Sequence, residues 1–210
     1  MAGPRRRMDV EGSAADLAAR RARLARGLAF VLAITVADTL YLSWRFTALF
    51  AGWVTPGTGL CSWTPGIDCD AVLRSPEARA FVVPNAILGW AFYSGCAIWW
   101  RAGMRLGPAY EPHVLRTLTV WLGIASAFTF YFWKLLLGLA WLCPFCPWNH
   151  VWTYAACFLS WRLWRLTPRP AAAAPIGPLL KLVALCVGWF WLWVGAWFWF
   201  EAARQSGDGL

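Results

Sequence analysis

The sequence predicts an all-helical protein embedded in a membrane. Of its 210 residues, 60% are hydrophobic and only 14% are charged, whereas a soluble domain keeps about a quarter of its residues charged. Five apolar stretches are nearly free of charge, and each is close to the roughly 20 residues that a helix needs to cross the hydrocarbon core. Backbone groups in lipid must be hydrogen-bonded within each segment, so we expect five helices. They cover residues 27–44, 81–100, 117–142, 143–161 and 182–200.

The distribution of positive charge predicts the orientation of these helices. With the N-terminus in the cytoplasm, the cytoplasmic segments 1–26, 101–116 and 162–181 contain fourteen Lys and Arg residues, against four on the opposite side. Cytoplasmic connections are enriched in Lys and Arg, so this orientation is the expected one. The formal net charge of +9 is then explained by topology and attraction to anionic lipids, and we expect no nucleic-acid partner.

The predicted spans divide the chain into three parts. Residues 1–26 are a basic cytoplasmic segment. Residues 27–166 contain the first four spans, which we expect to form one bundle, with an outer loop at 45–80. Residues 167–210 contain a linker rich in Arg, Pro and Ala, then the fifth span and a short outer tail.

Two segments outside the spans are predicted to form short helices. Residues 13–26 begin with Ser13, a residue type that caps helix N-termini, so we expect a separate helix along the inner leaflet. Residues 69–80 end the outer loop and contain Ser75-Pro76-Glu77, which combines a cap, a proline at the first helical position and an acid. This order predicts one or two short helices in the loop.

The third and fourth spans are predicted to meet in a tight turn. Leu142 runs directly into the sequence CPFC at residues 143–146, here called the CPFC motif, so almost no connecting sequence is left. Proline cannot continue a helix, and Pro144 and Pro147 therefore place the break at this point. We expect a helical hairpin that carries the CPFC motif on its turn at the outer surface.

Four of the seven cysteines are predicted to face the outer side, where disulfides persist. Cys143 and Cys146 are three residues apart at a helix start, whereas Cys61 and Cys69 lie in a loop rich in Gly and Pro. Four cysteines allow three pairings, and the sequence leaves all three open. The remaining cysteines lie inside spans and are expected to be apolar packing residues; they are Cys96, Cys157 and Cys186.

The outer cysteines have three chemical interpretations. A Cys-x-x-Cys motif flanked by proline favours thiol–disulfide exchange, in which a mobile pair attacks a fixed pair. Purely structural disulfides are the second interpretation. A zinc site is the third, but such sites use two closely spaced pairs, and the spacing of Cys61 and Cys69 is wide for that. We therefore expect a redox centre and no metal.

A resemblance to a known family rests on the outer loop and the CPFC motif. Residues 61–93 read CSWTPGIDCDAVLRSPEARAFVVPNAILGWAFY. They combine a Cys-x7-Cys loop, Ser75, a Pro-Asn pair that opens the next span, and Gly89. Together with the later Cys-x-x-Cys motif, this combination resembles the vitamin K epoxide reductase family over roughly residues 38–160.

The resemblance implies a four-helix bundle around a quinone and, in bacterial members, a fifth transmembrane helix. Bacterial homologues oxidise a thioredoxin-like partner of the DsbA type and pass its electrons to a membrane quinone. By this likeness the chain would be a thiol oxidase of the bacterial inner (plasma) membrane that supports disulfide-bond formation, with a ubiquinone- or menaquinone-type co-substrate. Many relatives carry the partner as a fused domain after the fifth span. Because this sequence stops about ten residues after that span, we expect a separate partner.

The resemblance also implies a role for each outer cysteine. Cys61 would face the partner, Cys69 would relay electrons to Cys143, and Cys146 would contact the quinone ring. An alternative function, reduction of a quinone epoxide, would use the same thiols, although the five-span arrangement favours the oxidase. A third interpretation, from another functional class, is a non-catalytic membrane scaffold.

Two further residues are predicted to bind the quinone. Asn85 matches the family asparagine that hydrogen-bonds a quinone carbonyl, and His150 occupies a position filled by tyrosine in some relatives. Independently of the resemblance, helical spacing places Cys146, Asn149 and His150 on one face at i, i+3 and i+4. An imidazole at this point is able to donate a hydrogen bond or a proton to a reduced quinone.

Two charged residues lie within the predicted spans. Asp38 is in the first span, and intramembrane carboxyl groups are functional candidates by default. The simpler expectation is a hydrogen bond to a neighbouring helix or contact with water at the outer surface. Lys134 lies about nine residues before Cys143, and we expect its long side chain to reach the outer interface.

Overall fold

The computed structural model describes residues 4–62, 66–79, 82–168 and 174–206, with side-chain surroundings from residue 14 onward. This part of the chain is built from helices, and the predicted all-helical fold is confirmed. The helices are α1 (Pro4–Ala51), α2 (Cys69–Arg74), α3 (Asn85–Met104), α4 (Glu111–Leu137), α5 (Phe145–Arg165) and α6 (Ile176–Ser206), and a 3₁₀ turn follows α2 at Pro76–Ala78.

Four of the long helices form a bundle, and the fifth packs on its outside. α1 contacts α3 and α5, and α4 contacts the same two helices, so the four surround a common centre. α6 packs mainly against α3, where the Trp189 indole donates a hydrogen bond to Ser94 Oγ at 2.7 Å. The helix α2 contacts α1, and the 3₁₀ turn follows it. These are the short helices predicted in the outer loop.

The outward faces of α4 and α6 are apolar, as a lipid environment requires. Phe130 and Trp199 are each 70% exposed and Leu137 is 81% exposed, whereas soluble proteins rarely expose so much large apolar side chain. α1, α4 and α6 are long and apolar enough to cross a membrane. α3 and α5 have 20 and 21 residues, which is also the length of a span.

α1 is longer than predicted at both ends. A separate short helix beginning at Ser13 is wrong, because the chain is helical without a break from Pro4 to Ala51. Residues 14–26 consist largely of Ala, Leu and Arg, which are strong helix formers and give the helix no reason to stop. The outer loop predicted at 45–80 therefore starts only after Ala51, where Gly52 has a φ of 75° that favours glycine and ends the helix.

The connection between α4 and α5 is also longer than predicted. α4 ends at Leu137, with Gly138 as its C-cap, rather than at residue 142. Leu142 instead pairs with Ile67 of the outer loop, so its backbone groups bond the loop and not a preceding helical turn. The expectation of an almost absent connection is wrong for that reason. Part of the predicted linker, residues 169–173, lies outside the described residues.

The end of the bundle remote from the outer loop has a tightly packed core. Trp99 is buried there, and its indole donates a hydrogen bond to the Val114 carbonyl at 2.9 Å. α3 and α4 approach each other closely at the same place, since a Cβ atom on Gly103 would lie 2.6 Å from Val114 Cγ2. Glycine at residue 103 therefore allows the two helices to meet.

An ion pair holds the outer loop onto α1. Arg45 Nε donates to Asp70 Oδ1 at 2.8 Å and Arg45 Nη2 donates to Asp70 Oδ2 at 2.6 Å, and the two residues are only 3% and 1% exposed. Arg45 also donates to the Thr55 carbonyl and to Thr58 Oγ1, and the Gly57 N–H donates to Asp70 Oδ2 at 2.9 Å. Charge-assisted bidentate bonds of this kind fix geometry strongly, so α1, α2 and the intervening loop are held together.

The same network changes the titration of Asp70. Burial raises the pKa of its carboxyl group, but the hydrogen bonds from Arg45 and from the Gly57 N–H, with the charge of Arg45, lower it by more. The net result is a pKa below the ordinary value of 3.8. A carboxyl group with a lowered pKa in the folded state stabilises that state above its unfolded pKa, and this contribution is lost as pH falls through the folded value.

We predict that Gly103→Ala lowers the free energy of unfolding by about 1–3 kcal/mol, the usual cost of overpacking a dense core. The added Cβ would displace Val114 and separate α3 from α4. Thermal unfolding of the purified protein in detergent measures the effect. Gly123→Ala on α4 is the matched control, because a Cβ at that glycine meets nothing within 4 Å, and no loss of stability is expected.

We also predict that Asp70→Asn lowers the free energy of unfolding near neutral pH by about 3–5 kcal/mol, because it leaves Arg45 buried without its charged partner. The difference from the unaltered protein should begin to shrink below about pH 4, where Asp70 of the unfolded chain becomes protonated, and should shrink further as pH falls through the lowered folded value. Unfolding curves between about pH 7 and pH 3 test this. Asp16→Asn removes the same charge at an exposed site of α1 and should show no such pH-dependent difference. A constant difference at all pH values would contradict the prediction.

Candidate active site

The disulfide between Cys61 and Cys69 lies at the beginning of α2. The two Cα atoms are 5.7 Å apart, and both residues are fully buried. Hydrogen bonds fix the loop around them: Tyr41 Oη accepts from the loop backbone at 2.9 Å, and Ser62 Oγ donates to Asp68 Oδ1 at 2.7 Å. Of the three pairings that the sequence leaves open, the structure has the one within the loop.

A short parallel bridge joins this loop to the segment before α5. The Leu142 N–H donates to the carbonyl of residue 66 at 2.8 Å, and the N–H of residue 68 donates to the Leu142 carbonyl at 3.1 Å. Cys143 follows Leu142 directly and Cys69 comes two residues after Ile67, so the two cysteines leave the bridge side by side. As a result, the sulfur atoms of Cys61, Cys69 and Cys143 all lie within 4.8 Å of one another.

Three sulfur atoms at this spacing also match the geometry of a metal site. Two of them are joined in a disulfide, however, and zinc binds thiolates rather than disulfide sulfurs. Cys143 is a free thiol. The arrangement therefore places one nucleophilic sulfur beside a disulfide, which is the geometry that thiol–disulfide exchange requires.

Cys146 connects the sulfur cluster to an internal cavity. Its backbone N–H donates to the Cys143 carbonyl at 3.1 Å, which holds the two cysteines on one turn at the start of α5. Cys146 also lines a cavity of about 560 Å³ between α1, α3, α4 and α5. Because the CPFC motif forms the start of α5, one of its cysteines meets the loop disulfide while the other meets the cavity.

Asn85 and His150 line the same cavity. Asn85 is the first residue of α3, and its Nδ2 donates to the Glu77 carbonyl at 2.8 Å, which ties the amide to the 3₁₀ turn. His150 is half-buried and stacks on Phe132, with ring centroids 6.1 Å apart and an angle of 11° between the rings. The two predicted quinone-binding residues, which are far apart in sequence, thus line the same cavity as Cys146.

The cavity suits a flat and largely apolar molecule. Leu, Val, Ile, Ala and Phe side chains make up most of its lining, and its volume lies within the range of about 300–1,000 Å³ that is typical of small-molecule sites. The polar groups that interrupt the lining include Ser75, Asn85, Asn149 and His150. A quinone ring carries two carbonyl oxygens on an apolar frame, so these residues fit a quinone head group.

A buried polar pair adjoins the cavity. Asn149 Nδ2 donates to Asp38 Oδ2 at 2.8 Å, and the two residues are 8% and 7% exposed. The expected hydrogen bond between Asp38 and a neighbouring helix is confirmed, with Asp38 as the acceptor. Tyr93 Oη and Thr153 Oγ1 share a hydrogen bond of 2.5 Å, and Thr153 also donates to the Asn149 carbonyl. The sequence signal for this group was the charge of Asp38 within an apolar span.

The cysteines predicted to serve only in packing lie away from the cavity. Cys96 and Cys186 are buried in the core between α3 and α6, and Cys157 on α5 packs against the same core. All three are free thiols. Lys134 on α4 is exposed, as its predicted extension to the interface requires.

Comparison with known proteins agrees with this geometry. The family model described as the vitamin K epoxide reductase family matches residues 27–161, which is more than half of the chain. The matched segment contains the four converging cysteines together with Asn85 and His150. Neither a search of curated proteins nor a search of solved structures gave a match. The chain belongs to the vitamin K epoxide reductase family, whose members are membrane oxidoreductases that use thiols and quinones.

Proposed function

We propose that the protein is a membrane thiol oxidase. It accepts two electrons from the thiols of a separate thioredoxin-like partner and passes them through two cysteine pairs to a membrane quinone, which supports disulfide-bond formation. The observation that carries this proposal is the continuous series of sulfur atoms. The series begins at the disulfide of Cys61 and Cys69, continues through Cys143 and ends with Cys146 at the cavity.

The proposed path has two exchange steps before the quinone is reduced. A partner thiolate attacks Cys61 and displaces Cys69, and the second partner thiol then releases the partner as a disulfide. The Cys69 thiolate attacks Cys143 of a Cys143–Cys146 disulfide, and Cys61 resolves the mixed disulfide, so that the loop is oxidised again and the CPFC motif is reduced. The two thiols finally give two electrons and two protons to the quinone, which leaves as hydroquinone. The pairing described above corresponds to the state before this last step.

Asn85 and His150 are proposed to bind the quinone beside Cys146. An amide donates through two N–H groups, and a carbonyl oxygen of the ring is a suitable acceptor. An imidazole is able to donate a hydrogen bond or a proton as the ring is reduced. The apolar side chains around them support the proposal, because they hold an apolar ring against the Cys146 sulfur and exclude water.

The proposed function requires a particular location and orientation. We propose that the protein lies in a bacterial inner membrane with its N-terminus in the cytoplasm, as the distribution of Lys and Arg indicates. The four reacting cysteines would then lie on the outer, periplasmic side, where disulfides form. Ubiquinone and menaquinone both present a ring with two carbonyl oxygens, and both types fit the proposed chemistry.

Reduction of a quinone epoxide is the second candidate, and the name of the family favours it. The same CPFC thiols would open the epoxide and end as a disulfide. Purified protein supplied with a dithiol and either a quinone or its epoxide separates the two functions, because an oxidase consumes the quinone and leaves the epoxide. A non-catalytic scaffold is disfavoured, since it gives no reason for the sulfur atoms to converge beside a cavity.

We predict that the protein restores disulfide formation in bacteria that lack their own membrane disulfide oxidase. Single substitutions Cys61→Ala and Cys146→Ala should each abolish this rescue, because each interrupts the path between the partner and the quinone. The redox state of a secreted disulfide-containing reporter, trapped by alkylation, measures the outcome. Cys157→Ala is the matched control: it removes a thiol from the same helix as Cys146, away from the cavity, and should rescue fully. Full rescue by Cys146→Ala would contradict the proposal.

We also predict that Cys146→Ser accumulates a disulfide between Cys69 and Cys143. Without Cys146, a Cys143 thiolate that attacks Cys69 and displaces Cys61 cannot close a disulfide within the CPFC motif. Only the return of Cys61 can release it, so the Cys69–Cys143 disulfide persists in a share of the molecules. Alkylation of free thiols followed by digestion and mass spectrometry should show the Cys69–Cys143 peptide pair with Cys61 alkylated. Cys157→Ser should show no such pair. An unchanged Cys61–Cys69 disulfide in every molecule of the Cys146→Ser variant would contradict the relay.

A further inference from the structure

Asp38 is a buried carboxyl group that the electron path leaves unused. It lies on α1 inside the bundle and is almost fully buried. Its Oδ2 accepts one hydrogen bond, from Asn149 Nδ2. Its Oδ1 is buried and has no hydrogen-bond partner within the described residues. A carboxylate away from water needs several donors or a cation to be stable, and one amide does not meet that need.

Asp38 is related by position to both the thiol and the cavity. Asn149 Nδ2, which donates to Asp38 at 2.8 Å, belongs to a side chain that lines the cavity together with Cys146, one helical turn earlier on α5. The other titratable side chains that line the cavity are His150 on α5, Tyr93 on α3 and Glu77 on the 3₁₀ turn. Of these groups, Asp38 is the one with a buried oxygen that lacks a partner in the described structure.

We propose that Asp38 is the proton-holding residue of the quinone-reduction step and that it exchanges protons with Cys146 beside Asn149. This inference rests on the proposed transfer of electrons from thiols to a quinone. Quinone reduction needs two protons at the point where two electrons arrive, and the lining near Cys146 is largely apolar. A carboxyl group bonded to Asn149 beside the cavity supplies a place for a proton between its release and its delivery.

The step conserves atoms and electrons. The neutral Asp38 carboxyl group gives its proton to one quinone oxygen and takes the proton of the Cys146 thiol, whose sulfur supplies the electron pair that reduces the quinone. Asp38 passes this second proton to the other quinone oxygen. A sulfur–sulfur bond forms between Cys146 and Cys143, and the Cys143 proton returns Asp38 to its neutral form. The products are a disulfide, hydroquinone and an unchanged Asp38.

The two half-reactions of the purified full chain separate this role from a structural one. In the first, dithiothreitol reduces the cysteine pairs, and alkylation with mass spectrometry counts the thiols. In the second, reduced protein is mixed with a short-chain ubiquinone or naphthoquinone analogue, whichever the unaltered protein reduces faster, and quinone absorbance is followed. We expect Asp38→Asn to slow the second half-reaction by about 100-fold or more, the scale of general acid–base catalysis, and to leave the first within about twofold.

The Asn side chain keeps an acceptor for the Asn149 amide but carries no exchangeable acid proton. A role limited to orienting Asn149 therefore predicts no loss in Asp38→Asn, whereas Asp38→Glu, which keeps a carboxyl group, should recover much of the rate. Thr35→Val is the matched control. Thr35 is buried one turn earlier on α1, donates to the Val31 carbonyl of its own helix and lies outside the cavity lining, so both half-reactions should be unchanged.

Three results would overturn the proposal. They are a quinone rate in Asp38→Asn equal to that of the unaltered protein, equal slowing of both half-reactions, and equal rates of the second half-reaction of the unaltered protein in H2O and D2O. The last measurement needs no variant, so it decides even where Asp38→Asn does not fold; slowing by about twofold or more in D2O is expected. Failure of the proposed function looks different, because the unaltered reduced protein would then reduce no quinone at all.

Discussion

The backbone hydrogen bonds at Leu142 join the outer loop to the segment before α5, and the position of every reacting sulfur depends on them. Cys69 and Cys143 are far apart in sequence and are carried by different elements. The bridge makes them neighbours, because Cys143 comes one residue after Leu142 and Cys69 two residues after Ile67. If the loop were paired one residue further along, the Cys69 side chain would point to the opposite face of the bridge, away from Cys143. The register of this bridge therefore determines whether the two thiols meet.

The loop that carries the disulfide is held firmly. Arg45 and Asp70 bind it to α1 at one point, and Tyr41 accepts a hydrogen bond from its backbone at another. The sulfur atoms of the cluster lie within 4.8 Å of one another, and a disulfide bond is about 2.05 Å long. Exchange between the pairs therefore requires rotation of side chains and a small displacement, so a large movement of the loop is unnecessary. The expected mobile pair is in fact an anchored one.

The helices could be predicted from the sequence, and so could the position of the CPFC motif at the start of an apolar helix. Both features follow from local composition and spacing. The exact end of α4 could not be predicted. Residues 138–142 are apolar enough to continue a span, and only contact with the outer loop shows that the Leu142 backbone is bonded elsewhere. The burial of Arg45 and Asp70 could not be predicted either. Each is a charged residue of the predicted outer loop, and each is buried only because it meets a partner 25 residues away. Asp38 was visible as a charge in an apolar segment, but its partner Asn149 lies 111 residues away.

The face of α5 explains how electrons and protons meet at one place. Cys146, Asn149 and His150 follow one another at i, i+3 and i+4, so a single rigid helix presents a thiol, an amide and an imidazole to the cavity. The distances between these groups are fixed by the helix itself and do not depend on how the other helices pack. α1 and α3 complete the space from the other side with Thr39 and Asn85, and Asp38 of α1 is bonded to Asn149 beside it. Small differences in the packing of those helices would therefore alter which ring is held and how protons reach it, while the geometry of the thiol and its helix neighbours stays the same.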